Sequence, residues 1–180
     1  MTPYFLLKRP DNINKRTNRL DGVLEKLGER GVKVFILLFR EPMSMLCNDS
    51  RDCQLYLESL SRNIKVHRHP ITPQFWSHHE KCVIIDQKVG FMGGLDICYG
   101  RWDTPEHSII NKDDKWNGAD YTNERIRGFA PGTTKNFTES PMKRETEPRM
   151  PWHDIGLQLR GDSVIDLLRH FIQYWEFVNG

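Results

Sequence analysis

A short, continuous apolar run next to glycine is the feature that most constrains the fold of this chain. Residues 32–39, Val-Lys-Val-Phe-Ile-Leu-Leu-Phe, follow Gly31 and are rich in β-branched and aromatic side chains. A run of this length and composition is typical of a buried strand. The segment before it has apolar residues at helical spacing that end at Gly28, namely Leu20, Val23, Leu24 and Leu27. The sequence therefore predicts a helix followed directly by a buried strand.

Helical and strand patterns continue to alternate after this run. Asp52 is a candidate N-cap for a second helix through Leu60, and residues 64–67 alternate like a strand. Residues 81–85 and 89–92 predict two strands joined by a tight turn near residues 86–88. Residues 153–159 predict one more strand, and Asp162 or Ser163 is expected to cap a final amphipathic helix. This order predicts an α/β fold with a mixed, partly parallel sheet flanked by helices.

The chain length and texture predict one domain with a long irregular insertion. The chain has 180 residues, which suits a single domain of ordinary size. From about residue 99 to residue 150, charged residues, Asn, Gly and Pro dominate and the apolar periodicity fades. Because a long stretch without secondary structure is uncommon inside a domain, we expect this insertion to serve a site or to be mobile.

Composition excludes or disfavours several classes of protein. The longest apolar run is far shorter than the roughly 20 residues of a membrane span, and the first residues resemble no signal peptide. The net charge of +2 gives little attraction to nucleic acid, so none is expected as a partner. The four cysteines form no CxxC pair, which favours reduced thiols and a cytoplasmic location, although an even count leaves disulfides open.

One motif points to chemistry on phosphate esters. His79, Lys81 and Asp86 follow the spacing H-x-K-x4-D, which occurs once in the chain. In an extended segment, His79 and Lys81 share a face, so that an imidazole able to act as nucleophile lies beside an ammonium able to hold phosphoryl oxygens. Gly93 and Gly94 follow the next strand and would let the backbone approach a ligand closely. The spacing alone arises by chance in many proteins.

The surrounding segments make the motif more specific. These segments are Trp76 to Asp86, Gly93-Gly94-Leu95-Asp96, residues 100–107 (Gly-Arg-Trp-Asp-Thr-Pro-Glu-His), Pro151 to Asp154, residues 170–175 and Leu6 to Pro10. Together they resemble the first catalytic half of eukaryotic phospholipase D, and the resemblance runs across nearly the whole chain.

The resemblance implies a reaction and roles for individual residues. Members of this family hydrolyse or transfer the phosphodiester of phosphatidylcholine through a phosphohistidine, which implies action at a phospholipid membrane surface. His79 would be the nucleophile, Lys81 would hold the phosphate, and Asp86 would support the motif's hydrogen bonds. Asp154 would orient the histidine of a second half. The core chemistry would require no metal and no cofactor, while regulation by calcium or phosphoinositide stays open.

The chain departs from this family by carrying one motif where two are expected. No histidine after His79 begins a second one. We therefore expect a half-enzyme, peripheral to the membrane and inactive as a hydrolase until a second half with its own H-x-K-x4-D (HKD) motif supplies the general acid. One alternative is a homodimeric phosphodiesterase or nuclease, in which another copy of the chain supplies the second motif. Another is a truncated, non-catalytic fragment.

Other polar and aromatic residues leave two interpretations open. Trp76 and Trp102, like Trp152, belong either to the core or to an aromatic wall that faces lipid or choline. With Gly93, Gly94 and Asp96, the first two are candidate substrate-binding residues. His78 is expected on the opposite face from His79. Glu80 begins no H-E-x-x-H zinc motif, because Val83 occupies the position of the second histidine. We expect Asp103 and Glu106 to form solvated ion pairs with Arg101.

Overall fold

Helices and strands alternate in the computed structural model, which describes residues 1–9, 14–41, 49–73, 76–110, 115–126 and 135–180. The helices are α1 (Leu20–Glu29), α2 (Ser50–Leu60) and α3 (Asp162–Asn179). The strands are β1 (Val34–Leu38), β2 (Ile64–Arg68), β3 (Cys82–Ile85), β4 (Val89–Gly93) and β5 (Gly156–Arg160). Two short 3₁₀ turns lie at Arg16–Asn18 and Gly118–Asp120.

The strands form two sheets of different kinds. β1 and β2 pair in parallel, and α2 is the crossover between them. β3, β4 and β5 form an antiparallel sheet in that order, because a tight turn joins β3 to β4. The predicted α/β class and mixed pairing are therefore confirmed, with the parallel and antiparallel pairs in separate sheets.

Helix α3 lies against both sheets and covers one face of the antiparallel sheet. Gly90 in the middle of β4 lies under this helix, since a Cβ built there would be 3.0 Å from Leu167 and 3.9 Å from Val164. The parallel pair has its own core with α2, in which the side chains of Leu38, Cys53, Leu57, Ile64 and Val66 are buried. The hairpin that carries the motif is thus held by α3 and by β5.

The described parts of residues 99–150 are irregular and yet well packed. Their only element is the 3₁₀ turn at Gly118–Asp120, but Trp116, Tyr121 and Met142 form a second buried cluster. Arg149 is 1% exposed and its Nη2 lies 2.9 Å from Asp103 Oδ1. The prediction of a solvated pair between Asp103 and Arg101 is wrong, because Asp103 pairs with a buried arginine from the far end of the segment.

Three predicted element ends differ from the structure. α2 begins at Ser50, so Asp52 lies in its first turn and is not its N-cap. α3 begins at Asp162 after Gly161, whose φ of 71° lies in the left-handed region that glycine adopts most easily. β5 begins only at Gly156, because the three residues before it belong to a loop in which Asp154 bonds the next amide. In the described part of the chain, no helix has both the length and the apolar composition to cross a membrane.

Candidate active site

One end of the antiparallel sheet brings together most of the predicted site residues. The start of β3, the end of β4 and the start of β5 meet at this end, because neighbouring strands run in opposite directions. Gly93 pairs with Gly156, and its N–H donates to the carbonyl of Lys81 over 3.3 Å. The residues placed here are His79, Lys81, Gly93, Gly94, Asp96 and Asp154.

The ammonium of Lys81 is held in a fixed position at this edge. Its Nζ donates to the carbonyl oxygen of His79 over 3.0 Å and lies 3.2 Å from Asp96 Oδ1. The Lys81 side chain is only 10% exposed, although the His79 side chain next to it is exposed. Burial by itself would raise the pKa of Asp96, but the hydrogen bond from Lys81 and the charges of Lys81 and Arg101 outweigh it and lower that pKa.

Arg101 supports the same carboxylate from the other side. Its Nη2 lies 3.4 Å from Asp96 Oδ2, and its Nη1 donates to Glu124 over 3.0 Å. The guanidinium lies 4.2 Å from the ring centroid of Trp152, a cation–π contact. Asp96 therefore lies between two cations, so that the position of Lys81 depends on Arg101 and on the Trp152 ring beneath it.

Asp154 lies directly against the backbone of Gly94. A Cβ built on Gly94 would be 2.4 Å from Asp154 Oδ2 and 2.7 Å from Oδ1, which is closer than real Cβ atoms approach. The other contact of this carboxylate is local, since Oδ1 accepts the N–H of Ile155 over 2.7 Å. Glycine at position 94 is therefore required for the carboxylate to lie where it does.

His78 and Glu80 contact helix α3 and not the Lys81 network. Glu80 Oε2 lies 2.6 Å from His170 Nε2. The His78 ring stacks on His69 with centroids 4.9 Å apart and lies tilted against Tyr174 with centroids 4.5 Å apart. Burial, followed by the nearby charge of His69, lowers the pKa of His78. These contacts agree with the expectation that His78 faces away from the motif's reactive pair.

Three candidate residues lie away from this group. Asp86 is in the turn at the far end of β3, with φ 51°, and five extended residues place it about 16 Å from Lys81. Trp102 packs against Trp116 with centroids 5.4 Å apart, so its contacts are those of a core residue. Trp76 is 73% exposed just before His79. The catalytic role of Asp86 and the substrate-binding roles of both tryptophans stay predictions.

Among the described residues, no group of three or more His, Cys, Asp or Glu side chains is arranged to hold a metal ion. The thiol nearest the motif is Cys82, the first residue of β3. Burial and a hydrogen bond with Glu80 raise the pKa of Cys82 to about 12, which keeps the thiol protonated near neutral pH. Cys82 is thus a packing residue and not a nucleophile.

Comparison with known proteins identifies the family to which this arrangement belongs. The family model described as Phospholipase D matches residues 5–179. The chain belongs to the phospholipase D family. It is 41% identical to phospholipase D C of Dictyostelium discoideum over 171 residues, which cover 93% of the chain and 10% of the relative. It is 38% identical to phospholipase D zeta 1 of Arabidopsis thaliana over 180 residues, which cover 97% of the chain and 16% of the relative.

A mammalian relative gives the same result. The chain is 37% identical to phospholipase D2 of Bos taurus over 204 residues, which cover 98% of the chain and 21% of the relative. The chain thus spans between about a tenth and a fifth of the length of these phospholipases D. The predicted resemblance to this family is confirmed across nearly the whole chain.

Sequence reasoning missed the residues that connect this candidate site to the rest of the fold. The sequence predicts pairs of Arg101 with Asp103 and Glu106, whereas Arg101 contacts Asp96, and the failed zinc motif gives no sign of the role of Glu80. His170, for which the sequence indicates no role beyond the family resemblance of residues 170–175, pairs with Glu80 from 90 positions away. Strand alternation does place Glu80 on the face opposite Lys81, but no local pattern reveals which helix covers that face.

Proposed function

We propose that this chain supplies one half of the active site of a phospholipase D that acts on phosphatidylcholine at a membrane surface. The observation that carries the proposal is the meeting of His79, Lys81 and the Asp154 carboxylate at one end of the antiparallel sheet. An exposed imidazole, a fixed ammonium and a carboxylate against glycine backbone are the groups that attack on a phosphodiester requires.

The proposed reaction has two steps. His79 attacks phosphorus, a P–N bond forms, and the bond between phosphorus and the choline oxygen breaks. The leaving oxygen takes a proton from the histidine of a second H-x-K-x4-D motif. Water or a primary alcohol then attacks phosphorus and gives its proton to the histidine of the second motif. The P–N bond to His79 breaks, and phosphatidic acid or its ester is released. No metal or cofactor takes part in either step.

The electrostatics of the edge support a phosphate site. Two cations, Lys81 and Arg101, flank the Asp96 carboxylate, and Arg101 also pairs with Glu124. A phosphate oxygen placed beside Lys81 would be stabilised by a positive charge that is already oriented, and Asp96 would keep Arg101 as its counter-charge. Trp76, which is 73% exposed and precedes His79 by three residues, offers an aromatic face for a quaternary ammonium or for the lipid interface.

An uncovered sheet face supports the need for a partner. Val83, Ile85 and Phe91 lie on the side of the sheet opposite α3 and are 40%, 50% and 40% exposed. Contiguous apolar surface of this kind is unfavourable in water and is typical of an interface. We propose a second motif-bearing half as the partner, with a second copy of this chain as the alternative.

The test is reconstitution of transphosphatidylation. The chain is assayed with phosphatidylcholine vesicles and 1-butanol, alone and with a separately expressed second half that carries an H-x-K-x4-D motif. We expect phosphatidylbutanol only from the mixture, and none when the chain carries His79→Asn or Lys81→Arg. Arginine keeps the charge but not the compact ammonium. Lys88→Arg, the same change at the far end of the hairpin, is the control and should leave activity unchanged.

Each other outcome overturns part of the proposal. A well-folded complex without activity would contradict the catalytic assignment, and turnover by His79→Asn would remove His79 as the nucleophile. Activity of the chain alone, with a mass twice that of the monomer in light scattering, would instead establish the homodimer. Release of nucleotides from nucleic acid in the same preparation would replace the lipid substrate with a nucleic acid.

A further inference from the structure

The segment that carries His79 and Lys81 lies outside the regular sheet. β3 begins at Cys82, and the ladder between β3 and β4 begins with the pair Cys82 and Met92. Among the residues that the structure describes, the one backbone hydrogen bond between these strands that reaches further back is the long one from the Gly93 N–H to the Lys81 carbonyl, at 3.3 Å. Backbone pairing therefore does little to fix the orientation of residues 78–80, and their side chains must contribute.

The side chains on the reverse face of this segment contact helix α3. Glu80, which separates His79 from Lys81, meets His170 with 2.6 Å between Oε2 and Nε2. A hydrogen bond also links Glu80 to the Cys82 thiol. The ring of His78 stacks on His69 with planes 6° apart and lies tilted by 37° against Tyr174. Tyr174 also contacts His170, one helical turn earlier, at 5.0 Å.

We propose that His170 is a positioning residue for the nucleophile: by holding Glu80, it fixes the segment 78–81 and so orients His79 and Lys81. The inference rests on the proposed function and extends it to a helix that contributes no reacting atom. Because successive side chains of an extended segment point to opposite faces, holding Glu80 from behind fixes its two neighbours in front. The side chains of Glu80 and His170 are 22% and 43% exposed, so the contact is accessible to solvent and can be lost without opening the core.

The matched test uses three substitutions on α3. His170→Leu removes the contact with Glu80, and His170→Gln keeps an N–H donor for it. Arg169→Gln is the control, because Arg169 is exposed and pairs with Asp166 on the same helix. We expect His170→Leu to lower kcat of the reconstituted enzyme about tenfold, the size typical of losing one hydrogen bond to a charged group, with KM changed less than about twofold. His170→Gln should recover most of this loss.

A second measurement on the chain alone does not depend on activity. Hydrogen exchange of the amides of residues 78–81, followed by mass spectrometry, should be faster in His170→Leu and unchanged in Arg169→Gln. The Nδ1 and Nε2 resonances of His79 should also shift in His170→Leu, because the ring samples more than one orientation. Unchanged exchange and resonances in His170→Leu would overturn the inference, as would a tenfold loss that His170→Gln fails to recover.

Failure of the proposed function would look different. If His79→Asn retains turnover while His170→Leu still loosens residues 78–81, then His170 holds the segment but His79 is not the nucleophile. If His79→Asn abolishes turnover while His170→Leu leaves kcat and hydrogen exchange unchanged, then the assignment of His79 as the nucleophile is supported and the positioning role of His170 is refuted.

Discussion

A methyl group at Gly94 should reduce catalysis with little effect on folding. In Gly94→Ala, the new Cβ would lie 2.4 Å from Asp154 Oδ2, whereas ordinary contact begins near 3.4 Å. The carboxylate must therefore move by about 1 Å, and a misplacement of that size at a reacting centre can cost about a hundredfold in rate. The side chain of Asp154 is exposed and can rotate, so the backbone does not have to yield.

The same geometry limits the cost in stability. Rotation of Asp154 breaks one local hydrogen bond to the Ile155 amide, which is worth about 1 kcal/mol. Alanine also restricts the unfolded chain, which offsets about 0.4–1 kcal/mol of that loss. We expect the net change in unfolding free energy to stay near 1 kcal/mol or below, which corresponds to a Tm shift of about 2–4 °C at most.

Gly156→Ala is the matched control for this prediction. It lies on β5, two residues beyond Asp154, and a Cβ built there has no neighbour within 4 Å. Both variants are compared with the unchanged chain by thermal unfolding and by phosphatidylbutanol formation with the second half. Full activity in Gly94→Ala, or an equal loss in Gly156→Ala, would refute the argument that Gly94 is needed for the Asp154 carboxylate.

Three further predictions concern charges and thiols. Because the pKa of Asp96 is lowered in the folded state, its ionised carboxylate stabilises the fold. This contribution is complete above pH 3.8, the ordinary pKa of the group, and is lost as the pH falls through the lower folded-state pKa. Asp96→Asn should therefore lower the Tm at pH 7, with a difference that shrinks toward pH 2. Asp103→Ala leaves the buried guanidinium of Arg149 without its carboxylate, which should cost about 3 kcal/mol and lower the Tm by about 6–12 °C. The Cys82 thiol, with its pKa raised to about 12, should stay largely unlabelled by iodoacetamide at pH 8, as mass spectrometry of the labelled chain will show.

Local sequence patterns predict the elements well because their causes are local. The run at residues 32–39 predicts a strand, and the structure places β1 at Val34–Leu38 within it. Helical spacing up to Gly28 predicts α1, which ends one residue later at Glu29. The errors occur where a terminus is set by backbone geometry, as at Asp49, whose φ of 49° precedes α2 and displaces the expected cap at Asp52.

The site is only partly predictable for a related reason. The motif spacing and strand alternation suffice to put His79 and Lys81 together, and the following Gly-Gly pair marks the neighbouring strand end. The partners of these residues depend on tertiary contacts over long sequence separations, such as Glu80 with His170. Asp86 shows the converse, since spacing makes it part of the motif although the strand carries it to the opposite end of the hairpin.

The two ends of the irregular segment of residues 99–150 contact each other beside the site. Asp103, near its start, accepts the N–H of Trp152 over 2.7 Å and pairs with Arg149, near its end. This contact joins the two ends of the segment beside the site, where Arg101 and Trp152 stack on each other. Because the two ends are joined in this way, Arg101 and Trp152, and with them the support of Asp96, are held from both ends of the segment. The buried pair of Asp103 and Arg149 is therefore better understood as the closure of a loop that serves the site than as a solvated ion pair.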